Sequence, residues 1–250
     1  MENTKAPRVI GHRGAAGYAP ENTLASVRYA ANLGVKWVEV DVKITADEVP
    51  VLFHDDRLER TTDGQGYLAR KSLAELTILD AGAWFGQSFI GQRIPTLAEM
   101  VGELERLGLG LNLELKPSPG QDEQTGRIAG EFLQTLWPAE LPAPVISSFK
   151  PLALAAFAEV APFMSRALLV HKVSDDWPEK AHSLGVSAFH CDSRYLKRHH
   201  VTSMREIGLT VRCFTVNEGK KASRLFSWGV ASVFSDFPDR ITSERCYIFY

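Results

Sequence analysis

The sequence predicts an α/β fold, the TIM (β/α)8 barrel. The chain has 250 residues, which matches one such barrel or two small domains. Short apolar runs alternate with segments of helical periodicity, as expected for parallel strands joined by helices. No Gly-x-Gly-x-x-Gly fingerprint follows any strand, which favours a closed barrel over an open doubly wound sheet. No repeat or linker divides the chain, so we expect residues 1–250 to form one domain.

Two predicted strands have one apolar and one polar face. In residues 37–42 valines alternate with residues that include Glu39 and Asp41, and in 111–116 leucines alternate with residues that include Glu114. Half-exposed antiparallel strands would show the same pattern. In a barrel, one face packs under helices and the other points inward, where unpaired carboxylates are costly to bury. A divalent cation with oxygen ligands would offset that cost.

The pattern contains one strand more than a barrel needs. The third candidate starts about seven residues after Val42, too soon for the helical crossover that parallel neighbours require. We therefore expect residues 43–53 to fold back locally, with a turn at Asp47-Glu48. The candidate strands are at 8–10, 37–42, 49–53, 111–115, 145–149, 167–170, 188–191, 209–214 and 231–234.

Capping residues predict where several helices begin and end. Asn22 or Thr23 can cap the first helix. The capping box that starts at Thr96 opens a helix that ends at Gly108. Asn217 can cap the helix that follows the eighth strand. The predicted helices from the fourth onward lie at 123–136, after Pro151, at 174–184, at 193–207 and at 218–228.

Residues 57–91 interrupt the alternation of strands and helices. A segment this long inside a domain is usually functional or a small subdomain, so we expect an insertion over one barrel mouth. It contains a capping box at residues 72–75 and the aromatic residues Trp84, Phe85 and Phe89. The aromatic side chains either face the mouth or simply pack on the barrel wall.

Composition excludes several classes of protein. The formal net charge of −2 provides no basic surface for nucleic acid. The first eight residues lack the apolar core of a signal peptide, and no apolar run is long enough for a membrane anchor. The sparse cysteines, Cys191, Cys213 and Cys246, lack metal-site spacing, so we expect reduced thiols in a cytoplasmic protein.

The unusual polar residues stand at strand ends, where barrel enzymes place their active sites. A cation on the three carboxylates could polarise a phosphoryl oxygen, and arginine and lysine could bind phosphate. Two histidines could supply the acid and the base of phosphodiester cleavage. The candidate residues are His12, Arg13, Glu39, Asp41, His54, Glu114 and Lys116.

A series of short motifs extends from near residue 8 to near residue 238. They are His12-Arg13-Gly14, Pro20-Glu21-Asn22-Thr23, Glu39-Val40-Asp41-Val42-Lys43, His54-Asp55, Arg60-Thr61-Thr62, Asp80-Ala81-Gly82-Ala83-Trp84-Phe85, Ile94-Pro95-Thr96-Leu97, Leu113-Glu114-Leu115-Lys116, Ser147-Ser148-Phe149, Thr215-Val216-Asn217 and Ser235-Asp236-Phe237-Pro238. In identity and order they resemble the motifs of bacterial glycerophosphodiester phosphodiesterases of the cytosolic type. Two positions depart from the family pattern: Ser235 replaces a common Thr, and Phe214 stands where Trp or Tyr is frequent.

The resemblance implies a TIM barrel with a small insertion after the second histidine motif. It implies hydrolysis of glycerophosphodiesters, such as glycerophosphocholine and glycerophosphoethanolamine, to sn-glycerol 3-phosphate and an alcohol. It also implies Mg²⁺ or Ca²⁺ on the three carboxylates Glu39, Asp41 and Glu114. His12 and His54 would be the acid–base pair, and Arg13 and Lys116 would contact the phosphate.

Three other functions are compatible with parts of the sequence. A related barrel could act on a lysophospholipid, with the insertion aromatics as an apolar entrance. A binding protein on the same fold would hold the phosphodiester without cleaving it. A metal-dependent aldolase or isomerase would use the same carboxylates but leaves His12, Arg13 and His54 less well explained.

Overall fold

The computed structural model describes residues 6–242, and its strands have the predicted order. Predicted and observed strand ends agree within about two residues, the usual uncertainty of such boundaries. The strands are β1 (Val9–Gly11), β2 (Trp37–Ile44), β3 (Pro50–Leu52), β4 (Gly110–Leu115), β5 (Val145–Ser148), β6 (Ser165–Val170), β7 (Ala188–Asp192), β8 (Thr210–Phe214) and β9 (Ser232–Ser235). The helices are α1 (Leu24–Asn32), α2 (Leu73–Leu76), α3 (Leu97–Leu107), α4 (Asp122–Leu136), α5 (Pro151–Val160), α6 (Trp177–Leu184), α7 (Arg198–Glu206), α8 (Gly219–Trp228) and α9 (Pro238–Thr242).

Eight of these strands form a closed parallel barrel, which confirms the predicted fold class. The strand order is β1-β2-β4-β5-β6-β7-β8-β9, and β9 pairs with β1 to close the ring. The remaining strand, β3, pairs antiparallel with β2, with Val42 opposite Leu52. The turn between them contains Glu48 in the left-handed conformation, at φ 62°. The predicted local fold-back at 43–53 is therefore confirmed.

The two faces of each strand have different partners. Val38, Val40 and Val42 of β2 belong to the large apolar core under the helices. Trp37 and Phe234 belong to a smaller apolar cluster inside the barrel. Alternation along β2 therefore directs Glu39 and Asp41 into the barrel, since they share the face of Trp37.

Most predicted helix ends are confirmed, but the cap of α8 and the starts of α6 and α7 are wrong; α6, predicted from residue 174, begins at Trp177. Thr23 accepts a hydrogen bond from Ser26 at the start of α1, and α3 has both the capping box of Thr96 and a left-handed Gly108. Asn217 does not cap α8, because its side chain bonds to the loop after β9. The helix predicted from residue 193 begins only at Arg198.

Asp192 explains the late start of α7. Its carboxylate accepts the backbone N–H of Arg194 at 2.9 Å, and its carbonyl oxygen accepts that of Tyr195. This turn supplies local hydrogen bonds that compete with a helix. Residues 193–197 therefore form a turn, and the helix starts after it.

Residues 57–91 contain α2 and two single 3₁₀ turns, at Leu68–Arg70 and Gln87–Phe89. Leu58, Leu68 and Leu76 are buried in a third apolar cluster, which also contains residues of β3 and its flanking loops. Because this cluster is separate from the barrel core, the segment has a small core of its own. Its treatment as an insertion in a single domain stays a prediction.

The aromatic residues of this segment contact one another. Trp84 and Phe89 each pack edge-to-face on Phe85, with ring centroids 5.4 Å apart. The Trp84 side chain remains 41% exposed.

None of the helices in the described part of the chain combines the length and apolar character needed to cross a bilayer. The expectation for Cys246 concerns a residue outside the described range.

Candidate active site

The carboxyl ends of the first strands bring the candidate residues together. His12 and Arg13 directly follow β1, in a turn where Arg13 has φ 49° and Gly14 has φ 86°. A Cβ on Gly14 would lie 2.4 Å from the Ser26 hydroxyl oxygen, so this turn requires glycine. Glu39 lies on β2, and Glu114 lies near the end of β4.

Three carboxylates form the centre of this site. Oxygens of Glu39, Asp41 and Glu114 lie within 4.8 Å of one another, and all three residues are buried. Glu39 Oε1 and Asp41 Oδ1 have no hydrogen-bond partner among the described residues. Buried carboxylate oxygens without a donor are the atoms that a hard divalent cation binds. The donor set therefore fits Mg²⁺ or Ca²⁺.

The three carboxyl groups have different affinities for protons. Burial and the charges of Asp41 and Glu114 raise the pKa of Glu39 well above its usual value. Burial and Asp41 raise the pKa of Glu114 to about 7. Burial acts the same way on Asp41, but Arg13, Lys116 and His54 outweigh it and lower its pKa to about 2. Two of the three carboxyl groups thus hold their protons more tightly than usual, and a bound cation would take the place of those protons.

Two basic side chains lie against the carboxylates. Arg13 Nη1 donates to Glu21 at 2.6 Å, and Arg13 Nε lies 3.2 Å from Asp41. Lys116 Nζ donates to Glu114 at 2.7 Å and lies 3.9 Å from Asp41. Burial alone would lower the pKa of Lys116, but Asp41 and Glu114 raise it. Both cations are therefore fixed and charged beside the cluster.

Each candidate histidine is oriented by a carboxylate at Nδ1. His12 Nδ1 lies 2.7 Å from Asp236, and Asn217 donates to the other Asp236 oxygen at 2.8 Å. His54 Nδ1 lies 2.6 Å from Asp55. A carboxylate at Nδ1 holds the proton there, so Nε2 is left to exchange a proton with a ligand.

A network of charged groups links the two histidine loops. Arg60 donates to Asp55 at 2.5 Å, and to both carboxylate oxygens of Glu21 at 2.8 and 2.7 Å. Glu21 in turn accepts from Arg13. One chain of ion pairs therefore connects the loop after β1 to the loop after β3.

These residues surround a cavity of about 350 Å³ at the mouth of the barrel. Six of the seven candidates line it, and Asp41 lies buried beside Glu39 and Glu114. The opposite wall is aromatic: Phe149 stacks on His171 at 4.7 Å and contacts Phe214 edge-on at 5.6 Å. Phe214, one of the two departures noted in the sequence, is thus part of the cavity wall.

Several residues that shape the site were not among the candidates. Each belongs to a motif that the sequence analysis quoted, and each lies in a loop after a strand or in the first turn that follows. That placement was the signal that could have identified them. They are Glu21, Asn22, Asp55, Arg60, Asn217 and Asp236.

Comparison with known families gives one match that covers nearly the whole chain. Residues 12–240 match the model of the glycerophosphoryl diester phosphodiesterase family. The Bacillus subtilis protein YhdW is 34% identical over 246 residues, which are 94% of this chain and 97% of YhdW. A glycerophosphodiester phosphodiesterase of Caldanaerobacter subterraneus is 30% identical, over 93% of this chain and 95% of the relative.

A solved structure is similar over almost its full length. It is an Oleispira antarctica phosphodiesterase in complex with the product sn-glycerol-3-phosphate. The TM-score is 0.93 and the sequence identity 41%, with 95% of this chain and 96% of the other covered.

Proposed function

Because the chain belongs to the glycerophosphoryl diester phosphodiesterase family and is an enzyme of that type, we propose the following reaction. It hydrolyses glycerophosphodiesters, such as glycerophosphocholine and glycerophosphoethanolamine, to sn-glycerol 3-phosphate and an alcohol. The reaction depends on Mg²⁺ or Ca²⁺. The product in the similar Oleispira antarctica structure supports the choice of product.

One observation carries the proposal. Three buried carboxylates, two fixed cations and two carboxylate-oriented histidines meet at one cavity of about 350 Å³. The cations suit a phosphodiester anion, and the histidines suit proton transfer at neutral pH. Packing alone gives no reason to place so many ionisable groups together in a barrel mouth.

The residues proposed to hold the cation are Glu39, Asp41 and Glu114, and the oxygens of Glu39 and Asp41 that accept no hydrogen bond suit a hard metal ion. When bound, the cation polarises a phosphoryl oxygen and stabilises the negative charge that develops in the reaction. The same residues keep Arg13 and Lys116 in place, so the negative cluster also fixes the groups that face the phosphate.

Arg13 and Lys116 are proposed to bind the phosphate oxygens. The Arg13 Nη2 group makes no hydrogen bond to a described residue, and Lys116 uses one of its three protons on Glu114. Both therefore keep donors for a ligand. The Phe149 ring lies 5.5 Å from Lys116 Nζ and restricts the lysine on its other side.

His12 and His54 are proposed to exchange protons with the substrate. One takes the proton of the attacking hydroxyl, and the other gives a proton to the leaving alkoxide. Asp236 and Asp55 hold both rings by Nδ1 and leave Nε2 for these transfers. The attacking hydroxyl belongs to water or to the neighbouring glycerol carbon, and a transient cyclic glycerol phosphate would identify the second route.

The first test is release of sn-glycerol 3-phosphate from glycerophosphocholine by metal-stripped protein, with Mg²⁺ or Ca²⁺ added back. We expect turnover to return with metal, and to fall at least about a hundredfold in His12→Ala and Glu39→Ala. His182→Ala and Glu105→Ala alter exposed residues of the same types on α6 and α3, and should leave turnover unchanged.

Failure of this test has distinct meanings. Tight binding of glycerophosphocholine without turnover in any metal would indicate a binding protein. Faster turnover of lysophosphatidylcholine would indicate a lysophospholipid enzyme, but Trp84, Phe85 and Phe89 are absent from the described lining of the active-site cavity. The three aromatic residues of the insertion therefore do not form an apolar entrance to the active-site cavity.

A further inference from the structure

A second cavity of about 350 Å³ adjoins the active-site cavity. We call the active-site cavity the inner lobe and the second cavity the outer lobe. The two lobes share four lining residues, His54, Glu114, Lys116 and Phe149. The outer lobe is otherwise lined by Lys43, Asp55, Asp56, Leu115, Pro117 and Lys150.

The shared residues mark the place of the reacting group. They include His54 and Lys116, proposed above for proton transfer and phosphate binding. A phosphodiester carries one organic arm on each side of its phosphorus atom. With the phosphate at the junction, each lobe is positioned to receive one arm.

The inner lobe suits the arm that does not vary among substrates. It is lined by Asn112, Ser147 and His190, all at most 1% exposed. Asn112 Oδ1 and His190 Nδ1 are buried without a hydrogen-bond partner in the described structure. One glycerol hydroxyl can accept a hydrogen bond from the N–H of the His190 ring, and another can donate to the amide oxygen of Asn112. The floor of the inner lobe therefore matches the glycerol arm.

The outer lobe suits the variable arm, because it opens to solvent. Asp56 has 42% of its side chain exposed, and Lys150 is exposed at the start of α5. The buried polar floor of the inner lobe accounts for the glycerol arm, which leaves the outer lobe for alcohols of differing size.

Lys150 sets the charge that the outer lobe offers a ligand. Lys43 donates to Asp56 at 2.7 Å, Lys116 donates to Glu114, and Asp55 is held by His54 and Arg60. Lys150 makes no ion pair with a described residue, although it lines the same lobe. After pairing, the lobe is left with one positive charge near its entrance.

We propose that the outer lobe binds the leaving alcohol and that Lys150 favours head groups with a negative charge, such as the carboxylate of a serine head group. The inference rests on the proposed function, since it assigns the second arm of that substrate. An exposed ion pair of this kind changes kcat/KM by about fivefold.

The test compares Lys150→Gln with wild type on glycerophosphoserine and glycerophosphocholine, with metal present. We expect kcat/KM for glycerophosphoserine to fall about fivefold, and that for glycerophosphocholine, whose head group is cationic, to stay level or rise by up to about fivefold. Inhibition by sn-glycerol 3-phosphate should not change, because that product lacks the alcohol arm. Lys36→Gln is the matched control, since Lys36 is exposed just before β2, at the opposite end of the barrel.

Two results would overturn the inference alone. An equal loss for both substrates, with weaker product inhibition, would mean that Lys150 contacts the phosphate. An unchanged ratio of the two kcat/KM values would mean that the head group lies outside the outer lobe. If the wild-type protein turned over neither glycerophosphoserine nor glycerophosphocholine, the proposed function would be overturned, and the inference with it.

Discussion

Asn22 illustrates how one residue serves both the backbone and the site. Its amide donates to Asp41 Oδ2 at 2.8 Å, and its carbonyl oxygen accepts the Asp41 backbone N–H at 3.0 Å. Its backbone is left-handed, at φ 58°, a conformation that asparagine tolerates better than most residues. The side chain thereby fixes one carboxylate of the proposed metal site from the loop before α1.

We predict that Asn22→Gly and Asn22→Ala both weaken Mn²⁺ binding at the carboxylate site by about tenfold, through loss of the groups that orient Asp41. Only Asn22→Ala places a Cβ in the left-handed conformation. It should therefore be less stable than Asn22→Gly by about 1 kcal/mol. Metal titration and urea unfolding measure the two effects, and wild-type Mn²⁺ affinity in both variants would refute the role of Asn22.

At this scale the sequence predicted residue types better than partners. All seven candidate residues lie in or beside one cavity. They could be chosen from the sequence because the alternation of polar and apolar residues locates the strand ends. Asn22 stands in a family motif and at a helix start, but its contact with Asp41 spans 19 positions. No local pattern encodes such a contact, so the supporting residues had to come from the structure.

Two helical glycines allow a matched test at the scale of the element. Helices α4 and α5 pack closely, and a Cβ on Gly126 would lie 2.2 Å from the carbonyl oxygen of Ala153. Gly102 of α3 has nothing within 4 Å of the same position. The first glycine therefore permits close packing, whereas the second is free to be replaced.

We predict opposite effects on stability. Gly126→Ala should destabilise the fold by about 1–3 kcal/mol, because the backbone of α5 must move. Gly102→Ala should stabilise it by about 0.5–1 kcal/mol, because alanine restricts the unfolded chain and favours helix. Urea denaturation of both variants measures the difference, and destabilisation of equal size would contradict the packing argument.

Elements were predictable where their signals are local. The capping box of Thr96 and the stop at Gly108 lie within one helix, and both were located correctly. The prediction that Asn217 caps α8 was wrong, because its side chain bonds to Ser235 and Asp236, at the end of β9 and just after it. Helix α9 was not predicted, because its five residues are too few to show a helical pattern of apolar positions.

For the whole molecule, the outer ring of helices contains a buried carboxylate, Glu103, that is paired with two exposed arginines. Glu103 of α3 accepts from Arg28 of α1 at 2.8 Å and from Arg106 at 2.5 Å. Hydrogen bonds from Arg106 and then Arg28 lower the pKa of Glu103 to about 2. Both arginine side chains are more than half exposed, so solvent screens much of this attraction.

We predict that Glu103→Gln lowers the free energy of unfolding by about 1 kcal/mol at pH 7. A carboxylate with a depressed native pKa stabilises the fold above its unfolded pKa, and that stability is lost as pH falls toward about 2. The difference between wild type and variant should thus shrink by more than half at roughly pH 3. Urea unfolding at both pH values measures it, and a constant difference would exclude the ionic contribution.

The barrel could be predicted as a whole because strand and helix patterns repeat along most of the chain. Nine strand signals implied one extra strand, and the short connection placed it in a local fold-back, which the structure shows to be the antiparallel β3. The register that closes the ring could not be predicted. It depends on single pairings such as Gly11 with Val38, which join residues far apart in sequence.

The hydrogen bond between His12 and Asp236 joins positions 224 residues apart. It has a consequence for the order in which the protein is made. The three carboxylates are present once residue 114 has been synthesised, but Asp236, which orients His12, is made much later. A growing chain therefore contains the three carboxylates early, and the carboxylate that orients His12 reaches it only when β9 docks beside β1. A chain that stops before residue 236 thus lacks the side chain that holds His12 in place.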